Sequence, residues 1–196
     1  MAKALAMAGG EGDGLLTGQL LIAMPAMDTP DFAHSVIYMC AHSPDGAMGL
    51  VVNHPLASPR FVDLLQQLEV TKAPPRREIG LCRGGPVEGA RGFVLHTADW
   101  TGDGTLRVDD RIALTASLDV LKAIAAGEGP AQGLLALGYA GWGPGQLDRE
   151  MAENAWLSAP ATPELVFDAG HDTKWRRALA SLRVDPVLLS SAAGHA

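Results

Sequence analysis

Hydrophobic and polar positions along this chain change repeatedly between the alternating pattern of strands and the three-to-four-residue spacing of helices. Short apolar or β-branched runs predict strands at 18–24, 35–40, 48–53, 78–83, 91–97, 106–108, 111–115, 133–139, 156–157 and 164–167. Turn residues such as Pro44-Asp45-Gly46 separate several neighbouring runs, which predicts hairpins and therefore antiparallel pairs. The run at 133–139 is almost wholly apolar, as expected for a strand that is buried on both faces.

Helices are predicted where a capping or turn residue precedes apolar positions at helical spacing. The segments that meet this description are 61–68 after Ser58-Pro59, 118–126 after Ser117, 146–154 after the glycine-rich turn at 141–145, and 173–182 after Asp172. Asp28-Thr29-Pro30 also has the pattern of a helix start, for a short helix that ends where β-favouring residues resume at Ser35.

The strands and helices interleave over residues 15–190 without a repeat or a linker, which predicts one α+β domain with about four helices. A chain of 196 residues also suits a single hydrophobic core. The hairpins argue against a doubly wound α/β fold, because that fold is built on a mostly parallel sheet. Residues 1–14 are rich in Ala and Gly and predict a disordered lead-in, and residues 191–196 predict a frayed tail.

Composition narrows the classes of function. The formal net charge is −7 and the pI is about 5.2, so direct binding to nucleic acid would need a concentrated basic patch. No run approaches the roughly 20 apolar residues of a membrane span, and the N-terminus has no signal-peptide pattern. We therefore expect a cytoplasmic protein, not associated with membranes, whose two cysteines, Cys40 and Cys82, are reduced and unpaired.

The most distinctive motif is Gly141-Trp142-Gly143-Pro144-Gly145, which lies between a predicted buried strand and a predicted helix. A glycine loop before a helix can bind an anion, because the first N–H groups of the helix have no partner within it. The motif matches neither the Walker loop nor the Gly-x-Gly-x-x-Gly pattern of dinucleotide-binding folds. A tight structural turn is the alternative interpretation.

The helix after this loop carries a polar stripe. Gln146, Glu150 and Asn154 recur every four residues and therefore line one face. Polar residues beside a core face either close a hydrogen-bond network or point into a cleft, and the sequence leaves both interpretations open.

Reactive side chains elsewhere give weaker patterns. Cys40 and His42 share one face of a predicted strand, which suits either an activated thiol or a buried structural cysteine. The histidines and carboxylates lack the spacing of a metal site or of paired acid–base catalysis, so we expect no metal and no cofactor.

The last predicted helix is basic. Its positive charges are Lys174, Arg176, Arg177 and Arg183. A basic helix can contact phosphates, but we expect a solvated face, with Trp175, Leu179 and Leu182 packed inward.

Stretches spread over about residues 15–190 carry a resemblance to a known family. They are 18–25, 35–38, 46–53, 84–87, 91–96, 137–147 and 154–157. Together they resemble the bacterial AlgH/YqgE family. The resemblance implies an α+β fold with a mixed, mostly antiparallel, bifurcated sheet that curls into a pseudo-barrel. It also brings the label of transcriptional regulator, which rests on genetic association, and it supplies no agreed catalytic residues.

Two classes of function fit these observations. We favour a non-catalytic binding or regulatory module that acts through an unknown protein or small-molecule partner, because no catalytic constellation is recognisable. The alternative is an enzyme of unrecognised type with a site at the 141–146 loop. Direct DNA binding is disfavoured by the acidic charge and by the absence of a recognisable helix-turn-helix pattern.

A functional surface is expected where Asn53, Gly84-Gly85-Pro86 and the 141–146 loop come together, because each lies at the end of a predicted strand. The candidate ligand- or partner-binding residues are Asn53, Gly84, Gly85, Pro86, Gly141, Trp142, Gly143, Gly145, Gln146, Glu150 and Asn154. The alternative is that the glycines only permit tight turns and that Trp142 belongs to the core.

Overall fold

A computed structural model of the protein describes residues 16–71, 73–186 and Leu189. The predicted lead-in at 1–14 and the predicted tail at 191–196 lie outside the described residues. Within the described residues the strands are β1 (Gln19–Ala23), β2 (Val36–Ser43), β3 (Gly46–Val51), β4 (Gly80–Arg83), β5 (Val87–Thr97), β6 (Thr105–Arg107), β7 (Ile112–Thr115), β8 (Gly133–Trp142) and β9 (Trp156–Pro160). The helices are α1 (Phe61–Gln67), α2 (Leu118–Ala126), α3 (Gln146–Ala152), α4 (Pro163–Phe167) and α5 (His171–Ser181).

The strands form one curved sheet in the order β6-β7-β5-β8-β3-β2-β1-β9, with every pair in this path antiparallel. The sheet curls into a half-barrel. Its two ends approach each other, since the Arg111 guanidinium beside β7 donates to the carbonyl of Ala161 after β9 at 2.8 Å. Strand β4 lies off this path and pairs in parallel with β8, so the prediction of a single α+β domain with a mixed sheet is confirmed.

The sheet divides at β8. The first half of this strand, Leu134 to Leu137, pairs in parallel with β4, and its last residues, Ala140 to Trp142, pair antiparallel with β3. Between the two halves, Gly138 adopts a left-handed backbone with φ +75°, which a side chain would strain. This point of division is the bifurcation that the family resemblance implied.

The core lies on both faces of the central strands. Alternate residues of β2 enter two clusters, with Tyr38 in one and Ile37 and Met39 in the other. Helix α5 closes the concave side of the half-barrel with Trp175 and Leu179, α3 covers the second cluster, and α1 and α2 cover a third. No helix of the described residues is both long enough and apolar enough to cross a bilayer.

Three local predictions are wrong. The helix expected after Asp28 is a single turn, because His34 adopts a left-handed backbone and β2 begins two residues later. The strand expected at 164–167 is helix α4, because Thr162 caps it and Pro163 occupies its first turn, a start signal that outweighs the β-favouring residues. Helix α1 begins after Arg60 and not after Ser58-Pro59.

Candidate functional site

The predicted glycine break at Gly84-Gly85-Pro86 lies at the division of the sheet. The Gly84 N–H donates to the carbonyl of Leu137 at 2.8 Å, and the Gly84 carbonyl accepts from the N–H of Val51 at 2.9 Å. A Cβ on Gly84 would lie 2.2 Å from the carbonyl oxygen of Gly138. The sequence suggested that these glycines let the backbone approach a ligand, but the space that they leave is occupied by another segment of protein backbone. Of the three residues of the break, only Pro86 is exposed.

The glycine-rich motif at 141–145 divides between a strand and a turn. Gly141 and Trp142 are the last residues of β8, so the loop itself is short, and Gly145 precedes α3 with φ +62°. The Trp142 side chain is buried and meets Trp156 edge to face, with ring centroids 6.0 Å apart. Trp142 is thus a core residue.

The polar stripe on α3 forms a hydrogen-bond network around Glu150. One carboxylate oxygen accepts from the indole N–H groups of Trp142 and Trp156, each at 2.8 Å, and the other accepts from the Gln146 amide at 2.8 Å. The side-chain oxygen of Gln146, Oε1, in turn accepts from the backbone N–H of Gly143 at 3.1 Å. Asn154 lies beyond the helix with φ +57° and an exposed side chain, so it is not part of this face.

Asn53 lies at the opposite end of β3 from this network. Trp142 pairs with Ala47 near the start of β3, whereas Asn53 follows the end of that strand by two residues. At about 3.3 Å per strand residue, the two positions are separated by roughly 20 Å. The expected convergence of Asn53, the Gly84 break and the 141–146 loop around one concavity is therefore not seen.

Asn53 instead lines a polar cleft of about 370 Å³. The cleft is formed by the turn before β2, the segment after β3 and the first half of α5, and its lining residues are His34, Asn53, His54, His171, Asp172, Trp175 and Arg176. Apart from Asn53 and the basic residue Arg176, sequence patterns did not single out this group for binding. Its members are far apart in the chain, and only the curl of the sheet against α5 brings them together.

The amide of Asn53 fixes one wall of the cleft. Its Oδ1 accepts from the N–H of Val36 at 2.7 Å, and its Nδ2 donates to the carbonyl of His34 at 2.9 Å. These bonds hold His34 in a left-handed backbone with φ +54°. The exposed His34 ring then stands edge-on to Trp175 at 4.5 Å between centroids, so Asn53 positions this imidazole through the backbone of His34.

Burial favours the neutral form of two imidazoles of the cleft, because it lowers their pKa values. It lowers the pKa of His54, although a hydrogen bond to the carbonyl of Ala33 acts in the opposite direction. Burial and the nearby Lys174 ammonium both lower the pKa of His171, while the carbonyl of Val52 acts in the opposite direction. A neutral imidazole has one donor and one acceptor nitrogen. Within the described residues, no group of three or more His, Cys, Asp or Glu side chains is arranged to hold a metal ion.

Lys174 was expected on a solvated face of α5, but its side chain is fully buried beneath the cleft. Its Nζ donates to the carbonyls of Val52 at 3.0 Å and Val166 at 2.8 Å. The neighbouring Trp175 and Leu179 pack inward as predicted. Lys174 and Ala178 are four residues apart on the same inward side, and this spacing is the signal that places Lys174 at the edge of the apolar face.

We expect the stability that Lys174 contributes to increase with pH between about 8 and 10. Burial lowers the pKa of Lys174 to about 8 in the folded protein, whereas an unfolded lysine titrates near 10.4. The unfolded chain therefore binds more protons in this interval, and the free energy of unfolding rises with pH. The difference between the native protein and Lys174→Met should grow by about 1 to 3 kcal/mol across the interval.

Urea unfolding of both proteins at pH 7, 8, 9 and 10 measures this difference. Titration of Cys40 and Cys82, whose pKa values burial raises to about 12 and about 11, acts in both proteins and largely cancels. Lys122→Met is the matched control, because the Lys122 side chain is exposed. A native-minus-variant difference that stays flat or falls with pH contradicts the prediction.

The Cys40 and His42 pair does not form an activated thiol. The Cys40 side chain is buried, its Sγ contacts the carbonyl of Tyr38 at 3.8 Å, and burial raises its pKa to about 12. A β-bulge lies between Met39 and Ala41, and the His42 ring meets Asp148 with Nε2 3.5 Å from the carboxylate. A thiol with so high a pKa is protonated at pH 7, so Cys40 is a buried structural residue.

Known sequences place this chain in a family. The model of a family described as AlgH-like, DUF179, matches residues 20–187. A UPF0301 protein of Gluconobacter oxydans is 56% identical over 183 residues, which cover 92% of this chain and 98% of that protein. A UPF0301 protein of Jannaschia sp. is 54% identical over 183 residues, which cover 92% and 95%.

Solved structures agree with this assignment. The solution structure of the AlgH protein from Pseudomonas aeruginosa is 45% identical, with a TM-score of 0.74 over 92% of this chain and 96% of that one. The crystal structure of a protein from Corynebacterium diphtheriae is 23% identical, with a TM-score of 0.71 over 97% and 99%, and shows a likeness of fold alone. These similarities confirm the resemblance drawn from the sequence: the chain belongs to the AlgH-like family, DUF179.

Proposed function

We propose that this protein is a cytoplasmic, non-catalytic binding module that takes a small polar molecule in the cleft between His34 and Arg176. The observation that carries the proposal is the convergence of three imidazoles, a guanidinium and a carboxylate on one concavity of about 370 Å³. Small-molecule sites in proteins are concave, have volumes of a few hundred cubic ångströms and present a few fixed polar groups.

The walls of the cleft are held in place before any ligand arrives. Asn53 fixes the backbone of His34, and the Trp175 indole donates to the carbonyl of Ala23 at 2.8 Å. A site that is already ordered loses little conformational entropy on binding, which favours affinity for a small ligand.

The alternative of an enzyme at the 141–146 loop has less support. Both oxygens of Glu150 accept hydrogen bonds from Trp142, Trp156 and Gln146, so this carboxylate is occupied in packing the protein. Regulation of transcription by this chain would be indirect, through a partner that senses the occupied cleft, because the net charge of −7 opposes contact with DNA.

A fragment screen followed by ¹⁵N chemical-shift mapping tests the proposal. We expect small polar fragments to shift the amides of residues 34, 54 and 171–176, because these residues line the cleft or lie between residues that line it. His54→Ala should weaken the best fragment by about tenfold, which corresponds to roughly 1.4 kcal/mol.

Gln66→Ala is the control, since this exposed residue lies on α1 and not in the cleft. The proposal is wrong if no fragment shifts the cleft amides, or if His54→Ala and Gln66→Ala leave the affinity equally unchanged.

A further inference from the structure

The charges around the cleft indicate the class of its ligand. Resting on the proposed function, we propose that the cleft binds an anion, a phosphate or carboxylate group carried by a small organic molecule, between Arg176 and His54 and above the buried ammonium of Lys174. The volume of about 370 Å³ exceeds what an inorganic anion fills, so there is room for an organic portion.

Lys174 is a buried cation, and among the residues that the structure describes no carboxylate is bonded to it. Its hydrogen bonds go to two backbone carbonyls, those of Val52 and Val166. Cys82 and then Asp168 are the groups whose fields favour the charged form of Lys174. Burial raises the pKa of Cys82 to about 11, so this thiol carries no charge at pH 7, and the Asp168 carboxylate is already paired with Arg177 at 2.8 Å. A buried charge normally has an ionic partner, because removal from water is costly. An anion in the cleft would supply that partner through the field, without direct contact.

The charged side chains around the cleft also sum to an excess of positive charge. Arg176 contributes a guanidinium and Asp172 a carboxylate, so with Lys174 there are two positive charges and one negative charge. The Asp31 carboxylate beside the turn is bonded to Arg83 and does not alter this balance. Helix α5 also begins here, and the partial positive charge at the N-terminus of a helix adds to the field.

This local excess is opposite in sign to the net charge of the whole chain, which is −7. The neutral imidazole of His54 adds hydrogen-bonding capacity without a charge. A guanidinium binds the oxygens of phosphate and carboxylate groups in a bidentate manner, which makes Arg176 the direct contact. Asp172 opposes the anion and limits its affinity.

Titration of the full-length protein with inorganic phosphate, and separately with succinate, tests the inference by ¹⁵N chemical-shift mapping. We expect at least one of the two anions to shift the amides of residues 54 and 171–176, and the comparison tells phosphate from carboxylate. Arg176→Gln should weaken that anion at least fivefold, and Asp172→Asn should strengthen it about twofold to threefold, as single charges at a half-exposed site do.

Arg149→Gln is the matched control, because Arg149 is an exposed arginine on α3, far from the cleft, and it should leave the affinity unchanged. Lys174→Met removes the buried charge and should weaken the anion as well. If that variant does not fold, the opposite shifts of Arg176→Gln and Asp172→Asn still decide the question. Affinity should also fall as sodium chloride rises from 50 to 300 mM, by roughly severalfold.

Equal affinities in Arg176→Gln, Asp172→Asn and Arg149→Gln would overturn the inference, and so would the absence of cleft shifts with both anions. Neutral fragments that still bind the cleft would then leave the proposed function standing. If neither anions nor fragments shift the cleft amides, both proposals are wrong.

Discussion

Gly84→Ala is expected to destabilise the protein by about 3 kcal/mol or more, and to leave little folded protein at 37 °C. A Cβ at this position would lie 2.2 Å from the carbonyl oxygen of Gly138 and 2.8 Å from the Cβ of Ala136. Gly84 is bonded to both Leu137 and Val51, so neither β8 nor β3 can move away without breaking the division of the sheet. Urea unfolding followed by circular dichroism measures the loss.

Gly80→Ala is the matched control, because Gly80 begins strand β4 and Gly84 directly follows its end. No atom of the described residues lies within 4 Å of the Cβ that this change would add, and Gly80 is exposed. We therefore expect a change in the free energy of unfolding of less than about 1 kcal/mol. A loss for Gly84→Ala as small as the one expected for Gly80→Ala would mean that the contact between Gly84 and Gly138 tolerates a side chain, and that the steric account of Gly84 is wrong.

The glycine break illustrates what sequence can and cannot say about this fold. Gly84-Gly85 is recognisable as an interruption between two β-favouring runs, but a glycine that admits a ligand and one that admits protein backbone look alike in sequence. The distinction depends on Gly138, more than fifty residues away, whose kink brings the backbone against Gly84. Only a tertiary contact of this kind separates the two interpretations.

Local signals predicted most elements well because they depend on neighbouring residues. Helix α2 begins after Ser117 and ends at Gly127, whose φ of +80° is typical of a helix C-terminus, as the sequence indicated. Helix α4 was missed although Thr162-Pro163 is a start signal, because five residues are too few for a helical period to be read.

The cleft was largely beyond prediction for a different reason. His34 and His171 are separated by most of the chain, and their approach follows from the way α5 closes the curved sheet. Lys174 was assigned to a solvated face because lysine is rarely buried. Lys174 is an exception because the carbonyls of Val52 and Val166 both accept hydrogen bonds from its ammonium group. These residues are distant from one another in the chain or in different elements, so no local sequence pattern indicates the arrangement.

Glu150→Ala is expected to lower the free energy of unfolding by about 3 kcal/mol. The carboxylate accepts three hydrogen bonds, and its removal leaves the indole N–H groups of Trp142 and Trp156 without their acceptor in a largely buried setting. Those two rings join the end of β8 to the start of β9, so the loss should spread to the pairing of both strands. Chemical unfolding monitored by far-ultraviolet circular dichroism avoids the direct effect of the change on tryptophan fluorescence.

Two further variants separate the acceptor role of Glu150 from helix propensity and charge. Glu150→Gln retains one oxygen for the indoles but turns an NH₂ group toward the Gln146 amide, so we expect an intermediate loss of about 1.5 kcal/mol. Glu153→Ala removes an exposed carboxylate next to the same helix and should cost less than about 0.5 kcal/mol. If Glu150→Ala is no more destabilising than Glu153→Ala, the two indoles are satisfied by water, and Glu150 is free to serve a ligand at the 141–146 loop.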